Sequence, residues 1–112
     1  MKDLKRYCLA LDLVDDEKSI QFYEDYHKNV WSEILESIKK SGIQNMEIYR
    51  VGNRLFMIIE VNDSFSFEEK QKADEGNPKV QEWEKLMWQF QKALPFAKKG
   101  EKWMIMEKIF NL

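Results

Sequence analysis

The chain has few of the residues that build metal, disulfide or phosphate sites. Its 112 residues include one cysteine, one histidine and four glycines. Cys8 alone cannot form an intrachain disulfide, and one cysteine with one histidine would make a poor zinc site. The glycines do not form a phosphate-binding loop. We therefore expect a protein that works without a metal or nucleotide cofactor.

The chain also lacks a charge excess and long apolar runs. Its formal net charge is -2 at pH 7, and acids and bases alternate, so no basic stripe is available for a nucleic-acid backbone. No apolar run reaches the length of a membrane span, and the first residues lack the core of a signal peptide. We expect a cytoplasmic protein that binds neither nucleic acid nor membranes, folded as a single domain over residues 1–112.

Hydrophobic periodicity predicts an α+β fold in which strands and helices alternate. The order is strand, long helix, strand, strand, interrupted helix and strand, which is the βαββαβ pattern of a ferredoxin-like fold. The elements are a strand at 6–14, a helix from about 15 to 40, strands at 45–50 and 55–61, helices from 66 to 76 and from 77 to 95, and a strand at 103–110. Capping signals start the last two helices, Ser66 with Glu69 and Asn77 with Pro78. An antiparallel four-stranded sheet with helices on one face is expected.

The predicted strands carry apolar residues at both alternating positions, so both faces of the sheet need cover. The helices can cover only one face, and a large exposed apolar patch is unusual in a monomer. Another copy of the chain is the simplest cover for the second face. We therefore expect a homodimer, a dimeric α/β barrel in which two sheets face each other. The alternative is a monomer with a partly hydrophilic open face.

The only histidine, His27, lies in a helical stripe of apolar residues. Steps of three and four place Ile20, Tyr23, Val30 and Ile34 on the same stripe. Histidine ordinarily changes charge near neutral pH, so His27 is the first candidate for proton transfer. A lone histidine on an apolar stripe is nevertheless more often a hydrogen-bonded core residue than a catalyst. The spacing leaves both interpretations open.

Tyr23, His27 and Trp31 follow one another at intervals of four residues, and this pattern resembles the L-rhamnose mutarotase family. Further segments that match the family occur in the same order along essentially the whole chain, at residues 42–45, 48–49, 55–56, 60–61, 80–83 and 106–112. The resemblance implies a small cytoplasmic isomerase with a dimeric ferredoxin-like fold. It also implies a reaction without cofactor, the interconversion of the α and β anomers of a 6-deoxyhexose, in the first place L-rhamnose.

The same resemblance implies roles for individual residues. His27 matches the family's proton donor, Tyr23 matches a sugar-contacting tyrosine, and Trp83 matches the first residue of a paired-tryptophan sugar platform. Two positions depart from the family, because the second tryptophan is Glu84 here and a sugar-contacting tyrosine of the second strand is Met46. Glu84 can still hydrogen-bond a sugar hydroxyl, whereas Met46 cannot, so L-fucose is an alternative substrate. By spacing alone, Trp83 is more simply a core residue and Glu84 a surface or interface residue.

Mutarotation opens a cyclic hemiacetal and closes it again on the other face. The ring oxygen must receive a proton and the anomeric hydroxyl must lose one. One imidazole can both donate and accept, and positioned proton transfer is typically worth about 10²–10⁴-fold. The group that acts opposite His27 stays open among Asp12, Glu60, Glu84 and a residue of the second subunit.

Two other classes of function are compatible with the predicted fold. Dimeric ferredoxin-like barrels also include cofactor-free oxygenases and haem-degrading enzymes, in which His27 would be a base or a haem ligand. A non-enzymatic module would bind a ligand without exchanging its anomers. Only the sugar-isomerase hypothesis draws on the Tyr23, His27 and Trp31 pattern.

Overall fold

The computed structural model describes residues 4–112 and contains five strands and four helices in the described part of the chain. In chain order they are β1 (Lys5–Leu13), α1 (Glu17–Lys28), α2 (Ser32–Lys40), β2 (Ile43–Val51), β3 (Arg54–Val61), α3 (Phe67–Glu75), α4 (Pro78–Trp88), β4 (Gln91–Lys92) and β5 (Met104–Ile105). Residues 1–3, which belong to the N-terminal segment without a signal-peptide core, lie outside the described residues.

The strands form one antiparallel sheet in the order β2-β3-β1-β4, and β5 also pairs with β1. β1 is central and pairs with β3 from Lys5 opposite Val61 to Asp12 opposite Arg54. A two-residue turn joins β2 to β3, and Gly52 takes a φ of +58° there, which favours glycine. The ferredoxin-like α+β prediction is confirmed. Two short strands, β4 and β5, take the place of the single fourth strand that was expected.

The helices cover one face of the sheet, which we call the covered face. Two groups of buried side chains lie there. The first contains Leu13, Tyr23, Ile34, Leu55, Val80, Trp83 and Met87, and the second contains Leu9, Ile43, Ile59 and Val61. The other side, the open face, carries the alternate residues of the same strands, because side chains alternate across a sheet. This division decides which ionisable groups can meet.

The prediction of one helix from about residue 15 to 40 is wrong, because the chain leaves the helix between Lys28 and Ser32. Asn29 has φ -141° and ψ 65°, outside the helical region, and asparagine favours such positions over helix interiors. The apolar stripe continues across the break because α1 and α2 bury side chains in the same cluster. Periodicity therefore could not reveal the break.

The predicted ends of the last helix and the last strand are also wrong. α4 stops at Trp88 instead of near residue 95, and Phe90 closes a turn by donating from its amide to the Met87 carbonyl at 2.9 Å. The strand expected at 103–110 is limited to Met104–Ile105. Beyond it, Ile109 and Phe110 are exposed. An alternating sequence forms a strand only where one parity can be buried, and residues 106–110 meet no such surface in the described part of the protomer.

No helix in the described part of the chain is long and apolar enough to cross a membrane. The longest, α1, has 12 residues, whereas a helical span needs about 20 predominantly apolar ones. The cytoplasmic location stays a prediction.

Candidate functional site

The predicted site residues Tyr23, His27 and Trp83 meet where α1 and α4 pack together on the covered face. The His27 ring centroid lies 4.4 Å from that of Tyr23 and 5.7 Å from that of Trp83. Trp31, in the break between α1 and α2, packs edge-on against Trp83 with centroids 5.0 Å apart. We call these four side chains the ring cluster. The structure thus joins residues that the sequence separates by about sixty positions.

Local signals hold the two helices that carry the ring cluster. The Asp16 carboxylate accepts from the amide of Ser19 at 3.0 Å and caps α1. The Asn77 side chain accepts from the amides of Lys79 and Val80 at 3.1 and 3.3 Å and caps α4. Each cap satisfies amides that have no partner inside the helix. The caps therefore start both helices at the positions that bring Tyr23 and His27 opposite Trp83.

His27 is half-buried, and one of its ring nitrogens is already used. Its Nδ1 lies 2.8 Å from the backbone carbonyl of Tyr23. A carbonyl can only accept, so Nδ1 carries the proton and donates, and Nε2 is the free basic nitrogen of the neutral ring. Burial lowers the pKa of His27 below its usual range, and the bond to the Tyr23 carbonyl partly offsets this effect. His27 is therefore a neutral base at neutral pH.

Tyr23 is the most buried aromatic residue of the ring cluster. Its side chain is 4 % exposed, and burial raises its pKa to about 12, although a hydrogen bond from Gln91 acts in the opposite direction. The hydroxyl therefore stays protonated at any pH at which the protein works. It accepts from Gln91 Nε2 at 3.3 Å. A protonated hydroxyl thus lies beside a neutral imidazole.

Trp83 is 8 % exposed and belongs to the core. His27, Trp31 and Tyr26 all approach it edge-on, and the Tyr26 centroid lies 6.3 Å away. Edge-to-face contacts of this kind are favourable between aromatic rings. The structure agrees with the interpretation of Trp83 as a packing residue, and its contact with a sugar stays a prediction.

Glu84 and Met46, the two positions that depart from the family pattern, are not part of the ring cluster. Glu84 is half-buried on α4 and accepts from Gln81 at 3.3 Å. Met46 packs against the second buried group, which contains Ile43 and Ile59. Glu84 is therefore next to Trp83 in the chain, whereas Met46 belongs to a buried group that contains none of the ring-cluster residues.

Asp12 and Glu60, two of the candidates for the second proton-transfer group, lie on the open face. Asp12 accepts two hydrogen bonds from Arg54, at 2.7 and 3.1 Å. Glu60 accepts from Arg6 at 3.5 Å and from Asn45 at 3.2 Å. The sheet separates both carboxylates from the imidazole, so neither can act together with His27 of the same protomer.

Two further residues lie beside the ring cluster, Tyr26 and Gln91, and neither was predicted from the sequence. Tyr26 is three residues after Tyr23, and this spacing places both on neighbouring parts of one helix face, so a wider stripe would have included it. Gln91 had no such signal, because it follows α4 and reaches Tyr23 only through the pairing of β4 with β1.

Among the open depressions on the surface of residues 4–112 are two with volumes of about 400 and 470 Å³. The first lies between α2 and the start of α4 and is lined by Glu36 and Lys40, among others. The second lies between α1 and β2 and includes Glu24 and Arg50, which form an ion pair at 2.7 Å. Neither depression is lined by residues of the ring cluster. Within residues 4–112, no group of three or more potential ligand residues could hold a metal ion.

A family model described as L-rhamnose mutarotase matches residues 6–112. The chain belongs to this family. Its members are isomerases that interconvert sugar anomers, so the predicted family, the mutarotase function and the isomerase class are confirmed, and the substrate is a small sugar.

Two relatives match nearly the whole chain, and one of them is named as a mutarotase. A protein named L-fucose mutarotase from Xanthomonas campestris is 43% identical over 111 residues, which are 97% of this chain and 89% of that protein. A Dictyostelium discoideum protein is 40% identical over 114 residues, 98% of this chain and 91% of the relative.

Solved structures share the fold. A crystal structure of an L-rhamnose mutarotase from Formosa agariphila superposes with a TM-score of 0.71 at 20% identity, covering 96% of this chain and 98% of the other. Tetracenomycin F2 cyclase from Streptomyces glaucescens superposes with a TM-score of 0.59 at 18% identity, covering 96% of each chain. At such low identity, both likenesses show the fold alone.

Proposed function

We propose that this protein exchanges the α and β anomers of a 6-deoxyhexose and that His27 transfers the proton. One observation carries the assignment of His27. Its Nδ1 is held by the Tyr23 carbonyl at 2.8 Å, and burial keeps the ring neutral, so a basic Nε2 is available among aromatic side chains. A fixed tautomer with a pKa near or below neutrality is suited to general base catalysis.

The reaction follows from this protonation state. Nε2 of His27 accepts the proton of the anomeric hydroxyl while the bond between the anomeric carbon and the ring oxygen breaks. The ring oxygen takes a proton from a second donor, and the open-chain aldehyde forms. After rotation about the bond between C1 and C2, the steps run backwards on the other face, and the imidazolium returns its proton to the carbonyl oxygen. No covalent intermediate with the protein is needed.

The residues around His27 supply contacts for the sugar in this proposal. Tyr23 keeps its proton at neutral pH, so its hydroxyl donates a hydrogen bond to a sugar oxygen. Trp83 offers the exposed part of its ring to the apolar face of the sugar, and Glu84 accepts from a sugar hydroxyl. Aromatic rings with a few polar groups are typical of small-molecule sites.

Both L-fucose and L-rhamnose are candidate substrates, and we favour L-fucose. The Xanthomonas campestris relative at 43% identity is named for L-fucose, whereas the solved L-rhamnose mutarotase is 20% identical. Glu84 and Met46 also stand where the family pattern has a tryptophan and a tyrosine, so the contacts that select a sugar differ here. The prediction of L-rhamnose from the sequence stays the competing hypothesis.

Saturation-transfer NMR between the α and β anomers tests the function directly. The exchange rate of each sugar is measured with increasing protein, and we expect a rise in proportion to protein for both sugars, larger for L-fucose. A larger rise for L-rhamnose would reverse the proposed preference. A folded protein that accelerates neither sugar would contradict the function.

We also propose that the protein is a homodimer formed through the open face and the C-terminal segment. Phe56 and Ile58 are only half-buried on the open face. Ile109 is 91 % and Phe110 76 % exposed. Burial of this apolar surface between two copies would remove it from water.

Light scattering after size exclusion tests the dimer. Ile58→Asp should yield monomers, because a charge would face the partner sheet. Leu35→Asp, an equally drastic change at an exposed position of α2, should leave a dimer. A monomeric wild type at micromolar concentration would contradict the proposal.

A further inference from the structure

Gln91 is a polar residue on the covered face of the sheet, where its neighbours are apolar. It lies opposite Leu13 in the pairing of β4 with β1, and Leu13 is fully buried. The backbone fixes this position, since the Val14 amide donates to the Phe90 carbonyl at 2.8 Å. Packing alone would favour an aliphatic residue here, because a polar group on an apolar surface costs free energy unless it is hydrogen-bonded.

The amide of Gln91 orients the hydroxyl of Tyr23. Gln91 Nε2 donates to the Tyr23 oxygen at 3.3 Å across 68 positions of sequence. Because the oxygen accepts this bond, the hydroxyl hydrogen must point elsewhere. No described residue accepts that hydrogen. The Tyr23 hydroxyl is therefore free to donate a hydrogen bond, and its acceptor does not come from residues 4–112 of the same chain.

The second polar atom of Gln91, Oε1, is accessible to solvent. It has no hydrogen-bond partner among the described residues, and no buried side-chain oxygen or nitrogen of the described chain lacks a partner. An unpartnered Oε1 must therefore reach the surface. The Tyr23 hydroxyl, a donor, and Gln91 Oε1, an acceptor, therefore belong to neighbouring side chains. Such a pair is suited to bind two adjacent hydroxyl groups of a sugar.

We propose that Gln91 is a positioning and specificity residue for the sugar. Its amide sets the direction in which Tyr23 donates, and its Oε1 accepts from a hydroxyl of the same sugar. L-fucose and L-rhamnose differ in configuration at C2 and C4, so an acceptor fixed at one place distinguishes them. This inference rests on the proposed function, since it needs a sugar beside Tyr23 and His27.

The test compares Gln91→Leu with wild type for both sugars by the same NMR exchange measurement. Loss of one or two neutral hydrogen bonds should lower kcat/KM for the preferred sugar about tenfold. The other sugar should lose less, so the ratio of the two kcat/KM values should move towards one. Gln89→Leu is the matched control, because Gln89 is exposed two positions earlier and should leave both rates unchanged.

A double mutant shows whether Gln91 acts through Tyr23. Adding Gln91→Leu to Tyr23→Phe should cost less than Gln91→Leu costs in the wild type, because the hydroxyl to be oriented is gone. Gln91→Glu serves if the Leu variant does not fold. It keeps the shape but has no donor when ionised, and it should reduce the sugar ratio as well.

The outcomes separate the two proposals. Equal losses for both sugars, unchanged rates, or full additivity with Tyr23→Phe would overturn the role of Gln91. If the wild type exchanges anomers and His27→Ala does not, the proposed function stands in each of those cases. If the wild type exchanges neither sugar, the function itself is wrong.

Discussion

The ionisable groups on the two faces of the central sheet differ in their hydrogen-bond partners. On the open face, the Asp12 carboxylate is 6 % exposed and is bound at both oxygens by Arg54. On the covered side, His27 has no charged partner within residues 4–112 and donates from one nitrogen to a backbone carbonyl. Both oxygens of Asp12 already accept hydrogen bonds from the oppositely charged Arg54, whereas His27 keeps one free basic nitrogen.

This difference is the structural reason why we propose His27, and not Asp12, as the catalytic group. A buried group whose bonds are complete serves the fold, and breaking its pair costs stability. A group that burial leaves uncharged and half-bonded can exchange a proton with a ligand. Asp12 is more buried than His27, so burial alone would favour Asp12 as the catalytic candidate. The hydrogen-bond partners of the two side chains favour His27 instead.

Removal of the imidazole should have the largest effect. His27→Ala should lower anomer exchange by about 10²–10⁴-fold, because the base is lost, while far-UV circular dichroism should still show the wild-type fold. Asp12→Asn, the matching change on the open face, should keep the exchange rate per folded molecule. Full activity of the His27 variant would break the comparison between the faces.

The pH dependence of the exchange should show the next largest effect. The pKa of His27 is lowered from its ordinary value of 6.5, chiefly by burial, so the neutral base predominates above that pH. The catalysed rate should be flat around neutrality and fall about tenfold per pH unit below the folded pKa. The measurement is NMR exchange from pH 4.5 to 8, corrected for the spontaneous reaction.

The same lowered pKa makes stability depend on pH. The unfolded chain binds the His27 proton more readily than the folded one, so this contribution is fully present above about pH 6.5 and is lost as pH falls through the folded pKa. Chemical denaturation of wild type and His27→Gln should differ less in acid than at neutral pH. In the pH dependence of the exchange rate, a midpoint above pH 6.5 would contradict the assignment of His27 as the base.

Loss of the open-face carboxylate should have a moderate effect on stability. Asp12→Asn removes the charge of a buried side chain and replaces one of the two oxygens that accept from Arg54 by an NH2 group, which cannot accept. Arg54 is half-exposed and stays hydrated, which reduces the cost, and we expect about 1–2 kcal/mol in urea unfolding. A fall in the exchange rate per folded molecule would show that the open face takes part in catalysis.

Glu60→Gln should have the smallest effect. Its ion pair with Arg6 spans 3.5 Å, and the Arg6 side chain is mostly exposed, so the loss should be about 0.5 kcal/mol or less. The substituted amide can still accept from Asn45. Unchanged exchange would agree with the separation of Glu60 from His27, and a tenfold loss of activity would require Glu60 to meet a sugar.

Local signals in the sequence predicted the caps and the helical stripe. Asn77 and Pro78 start α4, Ser66 caps α3 by accepting from the Glu69 amide at 3.0 Å, and Gly52 lies in the hairpin turn. Each signal acts within a few residues, where the chain has little choice of partner. His27 and Tyr23 were recognised for the same reason, since one helical turn separates them.

Signals that depend on distant partners were missed or misread. The break before Ser32 is hidden because α1 and α2 share one buried face. The strand expected from Trp103 to Phe110 ends early because its last apolar residues meet nothing among the described residues that could bury them. Gln91 carries no local mark at all, because its partner is 68 positions away.

Residue types and local spacing were enough to predict the α+β fold class, the family and the one histidine able to exchange a proton near neutral pH. These depend on residue type and on spacing within a few turns. The three-dimensional packing was needed to show which nitrogen of His27 is free, which carboxylates the sheet separates from it, and which amide donates to Tyr23. Those features depend on packing between α1, α4 and the end of β1, which no local pattern encodes.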